Sequence, residues 1–287
     1  MKSTWRDPSE KTLAWLLLTP AFALIALVVV YPVGKLIYNS FFQSTGFVGW
    51  QNYGDALQDK EFWEAMFNTL GITLITVPGA LLVGLAFAML ANLPFKRKWP
   101  VRLALLLPWA LPLSFCGLIF AWFFHTDYGI VNDVLRMAGL QEPTMWLLRP
   151  GWAFAAICLT IIWKTSSFMA LILLAGLQMI PRSLYEAAEV DGATPWQQFW
   201  QITLPLLVPS MVVALIFRTL TALQTFDIPY TMTKGGPGSA TQTLAMLIHK
   251  TTVDYLDLGY GSTLAVLMFV MSLLVTGVYL KHVGRAA

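Results

Sequence analysis

Residues Gln178 to Pro205 read QMIPRSLYEAAEVDGATPWQQFWQITLP. The stretch separates two long apolar runs, is too long for a simple turn, and spells two short helices. Pro181 starts the first, with Ser183 and Glu186 spaced as a capping box, and Gly192 stops it. Thr194 caps the second, which has Pro195 at its first position and runs through Trp196 to Ile202 before Pro205 leads into the next apolar run. On the first helix Leu184, Ala187, Ala188 and Asp191 share a face at i, i+3, i+4 and i+7, and the two alanines let another chain approach closely. Physics alone leaves two readings: a knob that docks in a cleft, or an amphipathic connector lying on a membrane.

The rest of the chain says which solvent surrounds that stretch. Of 287 residues 57% are hydrophobic and only 11% charged, and the mean hydropathy is positive, so lipid is the main solvent. A bilayer core needs about 20 apolar helical residues. Six runs meet this: Leu13 to Ile37, Phe67 to Leu93, Val101 to Phe124, Trp152 to Leu177, Leu206 to Phe226 and Tyr260 to Leu280. The third contains Leu107-Pro108-Trp109-Ala110-Leu111-Pro112, a break that membrane helices tolerate where a cavity or neighbouring helices satisfy the freed backbone. The expectation is an all-α, polytopic protein with six transmembrane helices and one domain over residues 1–287, carrying the 178–205 loop within it.

Charge placement orients the spans, since Lys and Arg accumulate on the cytoplasmic side. Lys2, Arg6, Lys11, Lys96, Arg97, Lys98, Arg102, Arg182, Lys281 and Arg285 fall on one set of flanks. Most acids, among them Asp55, Glu61, Asp127, Glu142, Asp227 and Asp257, fall in the alternate loops. Both termini and the 178–205 loop are therefore expected in the cytoplasm, with loops 39–63, 125–151 and 227–259 outside. The first apolar run lacks a small-residue cleavage site and reads as a retained span.

Several chemistries find no residues here. There is no GxxxxGK[ST] phosphate loop, no HExxH, no buried carboxylate pair and no basic stripe beside stacking aromatics, so neither ATP hydrolysis, metalloproteolysis nor nucleic-acid binding is indicated. The spans hold almost no carboxylates or histidines, which a proton-coupled carrier would need. Cys116 and Cys158 sit in apolar runs as small packing residues. Lys164, followed by Thr165, Ser166 and Ser167, either points into a solute pathway or snorkels to an interface. Arg218, midway along the fifth run, either meets a ligand or pairs with an acid from another subunit.

Glu186-Ala187-Ala188, Gly192, then nine residues and Ile202-Thr203-Leu204-Pro205 match EAA-x3-G-x9-I-x-LP at every fixed position. The chain thereby resembles the permease subunits of binding-protein-dependent ABC importers. Pro20, Tyr31-Pro32, Phe47-Val48-Gly49 with Asn52-Tyr53, Tyr128-Gly129 with Asn132, and Gly235-Gly236-Pro237 extend the resemblance along nearly the whole chain, towards the carbohydrate-uptake, MalF-like or UgpA-like branch. The resemblance implies a type I importer permease fold in a bacterial or archaeal plasma membrane. Its implied partners are a second, homologous permease, two cytoplasmic ATPase subunits and an extracytoplasmic solute-binding protein; ATP and Mg would be bound by the ATPases and no cofactor by this chain. Leu184, Glu186, Ala187, Ala188, Asp191 and Gly192 would couple to the ATPase, Glu186 facing a basic residue while also able to cap its own helix. A sugar pathway needs aromatic faces and hydroxyl partners, which Trp109, Trp163, Lys164, Thr165, Phe168, Gln224, Thr225 and Asp227 offer. Leu113 and Ile161 are apolar where a sugar contact could be polar, as in a subunit that mainly forms a wall. The rival functions are a secondary carrier working alone and a membrane scaffold that recruits an ATPase.

Overall fold

The computed structural model describes residues 10–93, 99–140 and 144–283. Lys2, Arg6, Lys96, Arg97, Lys98, Glu142 and Arg285, used above to orient the chain, lie outside the described residues. Helices dominate: α1 Glu10–Ile25, α2 Tyr31–Asn39, then a hairpin of β1 Phe42–Gln43 and β2 Gly46–Phe47, α3 Gln51–Gln58, α4 Lys60–Asn92, α5 Trp99–Ala110, α6 Leu113–Phe123, α7 Ile130–Met137, α8 Pro150–Met179, α9 Arg182–Val190, α10 Pro195–Gln198, α11 Leu204–Leu223, α12 Asp227–Thr233, α13 Leu244–His249 and α14 Leu258–Val283. Single π-helical turns at Ala26–Val30 and Phe199–Thr203 make continuous helices of α1–α2 and α10–α11.

Among the described residues five helices are long and apolar enough to cross a bilayer, Lys11–Asn39, Lys60–Asn92, Pro150–Met179, Pro195–Leu223 and Leu258–Val278. The expected third span is instead two shorter helices, α5 and α6, broken at Leu111-Pro112. The break has a simple cause: Pro112 has no N–H to donate and its ring crowds the preceding turn. Two other prolines are absorbed differently. The π turns stand immediately before Tyr31-Pro32 and Leu204-Pro205, where the wider ladder carries the chain past a proline, with Tyr31 N bonding Ala26 O and Leu204 N bonding Phe199 O.

Contacts divide the chain into two compact units. The larger, drawn from Asp59–His249 and Met268–Ala287, centres on α4 against α8. Small residues on α4, namely Ala80, Gly84, Ala88 and Ala91, are buried there. A Cβ on Gly84 would stand 2.6 Å from Met169 Cβ and 3.0 Å from Ser166 O, so the two backbones approach as closely as side chains permit. One apolar cluster gathers Ile72, Ile157, Ile161 and Phe124 with Ile228 and Met232 of α12, and another Ala88, Leu173, Leu177 and Ile180 with Leu207 of α11.

The smaller unit, drawn from Met1–Gln58 and Lys250–Leu267, is organised by a buried asparagine. Asn52 Nδ2 donates to the carbonyls of Ser40 (2.9 Å) and Phe42 (3.0 Å), and its Oδ1 accepts from Gln43 Nε2 (2.6 Å). Thr263 Oγ1 of α14 donates to the same Ser40 carbonyl at 3.1 Å. Gly259 leaves no room for a Cβ against the carbonyl of Phe42.

Candidate functional site

Two candidate places are the 178–205 loop and a cavity around Arg218 lined by polar and apolar side chains. In the loop α9 begins at Arg182, with Pro181 as its N-cap and no side-chain capping bond. The expected Ser183–Glu186 capping box does not form, because Pro181 itself occupies the extended cap position and places Ser183 inside the first turn. The C-terminus is as the glycine suggests: Ala193 N bonds Ala188 O at 2.8 Å, Gly192 N bonds Glu189 O at 3.1 Å, and Gly192 has φ +78°. These are the two bonds of a Schellman turn, which requires a left-handed residue at Gly192. Thr194 then caps the second helix in a capping box with Gln197, behind Pro195. That helix does not end before the next span but continues through Phe199–Thr203 into α11.

One side chain ties α9 to this continuous helix. The Tyr185 hydroxyl hydrogen-bonds the Thr203 hydroxyl at 2.9 Å, and the Tyr185 ring packs against the Leu177 and Leu207 cluster. The opposite side of α9 is open: Leu184, Glu186, Ala187, Asp191 and Gly192 are exposed, Ala188 is half-buried, and Val190 is 88% exposed. α9 therefore presents an open face, with Leu184, Ala187 and Val190 exposed, on a backbone fixed at both ends.

The polar cavity lies where α11 ends and α12 begins. It measures about 100 Å³ and gathers Thr165, Gln224, Thr225 and Asp227 with Arg218 and Thr221, against an apolar side that includes Leu113 and Ile161. Four expected pathway residues are thus brought together. The other four are not: Trp109 is exposed, Trp163 packs on Phe120 with ring centroids 5.1 Å apart, Phe168 is half-buried, and none of them lines the cavity. Lys164 also turns elsewhere. Its Nζ donates to the Trp109 carbonyl at 2.7 Å, a group left without a helical partner by the break between α5 and α6. A cation there satisfies an orphan carbonyl and meets the negative end of the α5 dipole.

Arg218 is 4% exposed. Its Nη2 donates to Thr76 Oγ1 (3.0 Å) and its Nη1 to Thr221 Oγ1 (3.2 Å), while its buried Nε has no partner among the described residues. No carboxylate pairs with it among the described residues. Asp227 instead accepts from Ser114 Oγ at 2.9 Å, joining the start of α6 to the start of α12. Thr221 and Ser114 were not singled out from sequence. For Thr221 a signal existed, since Arg218, Thr221 and Thr225 recur at i, i+3 and i+7. Among the described residues no group of three or more His, Cys, Asp or Glu could hold a metal ion.

A family profile described as "Binding-protein-dependent transport system inner membrane component" matches residues 80–285, which is more than half the chain. The chain belongs to this family. The permease is 64% identical over 284 residues to the sulfoquinovosyl glycerol transport system permease protein SmoG of Agrobacterium fabrum, covering 96% of this chain and 92% of that one. It is 39% identical over 282 residues to the trehalose/maltose transport system permease protein MalF of Thermococcus litoralis, covering 96% and 95%. A chain in the crystal structure of a bacterial ABC transporter involved in the import of the acidic polysaccharide alginate superposes with a TM-score of 0.86 at 22% identity, over 99% of both chains, and so shares the fold. The permease has the type I ABC importer fold and is a multi-pass inner membrane component. It is a transport subunit and not itself an enzyme, the ATPase being a separate chain. The transport system of this family is binding-protein-dependent, as its description states.

Proposed function

We propose that this permease carries a glycoside with a fixed negative charge, of the sulfoquinovosyl glycerol type, into the cytoplasm by alternating access. The observation that carries the cargo class is the high identity to the Agrobacterium permease along almost the full length of both chains. Arg218 supports it physically. A guanidinium buried inside a membrane protein without a carboxylate in contact is unfavourable unless an anion approaches it, and Arg218 borders a cavity whose polar side is Thr165, Thr221, Gln224, Thr225 and Asp227. Thr165, Gln224, Thr225 and Asp227 would meet sugar hydroxyls. A cavity of about 100 Å³ is smaller than a glycoside, so a second, homologous permease would supply the facing half.

Two cytoplasmic ATPase subunits would bind ATP and Mg and drive the cycle. Both termini and the 178–205 loop would face them, consistent with the basic flanks Lys11, Arg102, Arg182 and Lys281. The open side of α9, formed by Leu184, Ala187 and Val190 with Glu186 beside them, would seat in the ATPase. The Tyr185–Thr203 bond would hand its displacement to α11, which carries Arg218 at the cavity. Residue roles in the loop and the cavity both stand within this proposal.

The test is reconstitution of the full importer in proteoliposomes with labelled sulfoquinovosyl glycerol. ATP-dependent uptake that trehalose and maltose fail to compete supports the assignment. Uptake of the neutral disaccharides alone would replace the cargo with that of the Thermococcus relative. Arg218→Gln should reduce uptake of the charged glycoside at least tenfold, and an unchanged rate would remove Arg218 from the pathway.

A further inference from the structure

Two cavities away from the Arg218 site adjoin each other at the C-terminal end of α8. The first, of about 530 Å³, is lined by Asn92 at the end of α4, Arg102 of α5, Gln178 at the end of α8, and Arg182 and Tyr185 of α9. The second, of about 240 Å³, shares Arg102 and Gln178 and continues between the helices over Ala91, Leu105, Leu171, Leu174 and Ala175. No carboxylate lines either one. Arg102 Nε is buried with no hydrogen-bond partner among the described residues, and neither Arg102 nor Arg182 is in an ion pair among them.

We propose that these joined cavities bind one anionic phospholipid of the cytoplasmic leaflet, its phosphodiester between Arg102 and Arg182 and an acyl chain along the apolar extension. Three features select that occupant. Two unpaired guanidiniums at the membrane's basic side complement a phosphodiester, and Arg grips such oxygens in a planar fork. Asn92 and Gln178 supply neutral donors for the polar head. The contiguous apolar arm distinguishes a lipid from free phosphate, because only a lipid covers both the guanidiniums and the leucines. Leu171 and Leu174 wall this arm on α8, and Tyr185 of α9 borders the head region. A bound lipid therefore buttresses the coupling helix through the side chain that also bonds Thr203.

The experiment uses the assembled transporter, exchanged from detergent into nanodiscs of phosphatidylglycerol or phosphatidylcholine, with retained lipid counted by native mass spectrometry. Phosphatidylglycerol should be retained in preference to phosphatidylcholine. Each arginine near the surface contributes about a fivefold preference, so Arg102→Gln with Arg182→Gln should erase roughly thirtyfold of it. Ala175 is exposed on the apolar arm, so Ala175→Phe can fill that arm without disturbing the core, and it should displace phosphatidylglycerol while both arginines remain. Inorganic phosphate should fail to compete; competition by phosphate alone would mean an ion site without a lipid. Equal retention of the two lipids, or retention indifferent to the double substitution in an intact complex, would overturn the proposal. So would a crosslink from a cysteine at Gln178 to a partner subunit at full yield, which would show that protein fills the space.

Discussion

Replacing Gly192 by asparagine, alanine and valine separates a backbone role from a contact role. Gly192 holds φ +78°, and a Cβ there would meet nothing within 4 Å. Within this chain the penalty of substitution is therefore conformational alone. Left-handed backbone costs an ordinary residue about 1–2 kcal/mol, less for asparagine and most for a β-branched side chain. Alanine should thus lower the population of the Schellman turn about fivefold and valine about thirtyfold or more, at 1.4 kcal/mol per factor of ten. The measurement is solute imported per ATP hydrolysed in proteoliposomes, with insertion levels matched by immunoblot. The expected order is Gly, Asn, Ala, Val, with membrane insertion unchanged. Valine transporting like glycine would refute any need for the left-handed turn. Asparagine failing as badly as valine would refute the conformational account differently, by showing that a partner surface excludes every side chain at this point.

Three further outcomes follow from particular contacts. Tyr185→Phe removes the hydroxyl that meets Thr203, worth about 1 kcal/mol; transport per ATP should fall, Thr203→Val should match it, and the double variant should be no worse than either single one. Gly84→Val drives a side chain into Met169 and the Ser166 carbonyl and should destabilise the larger unit by about 1–3 kcal/mol. Cys116 and Cys158 are buried and free, so a thiol-reactive dye added during heating would report an earlier unfolding onset in that variant; an unaltered onset would argue against the close α4–α8 approach. Asn132 Nδ2 donates to Thr126 O and Thr144 O while its Oδ1 accepts from Thr144 N and Trp146 Nε1. Asn132→Ala should therefore cost about 3 kcal/mol, mostly from the buried groups left unpaired, and the same dye assay should detect it.

Much of this was legible in the residues, for reasons that differ from place to place. Five of the six apolar runs became spanning helices because length and hydropathy suffice once lipid is the solvent. The Pro112 break was visible, but the π turns ahead of Pro32 and Pro205 were not, since a proline signals a disturbed ladder without saying whether the helix kinks or widens. The Schellman turn at Gly192 and the Thr194 cap followed from local chemistry. The Ser183 cap failed because Pro181 had already taken the position. In the cavity, polarity at the end of the fifth run points to Gln224, Thr225 and Asp227, and a polar stretch within the fourth points to Thr165. Trp109, Trp163 and Phe168 were proposed as aromatic faces for a sugar, and an aromatic ring in a membrane helix gives no sign from sequence of which way it points. Asn52 and Asn132 stood out only through the family resemblance. Their burial as hubs explains amides between the long helices where hydropathy would expect solvent-facing residues.

The uninterrupted run from Pro195 to Leu223 has a mechanical meaning. At 1.5 Å per residue, these 29 residues form a strut roughly 43 Å long, with the capping box of the 178–205 loop at one end and the cavity at the other. A shove at the loop reaches Gln224 without crossing a flexible joint. Two sections can yield: Pro209, which has no N–H for the ladder, and the five-residue π turn, which can exchange one hydrogen-bond register for another. Tightening that turn to ordinary α geometry would rotate the far end by about 100°, swinging Arg218 round the helix axis, so the loop's bond to Thr203 grips the strut at a place where a pull can become a twist.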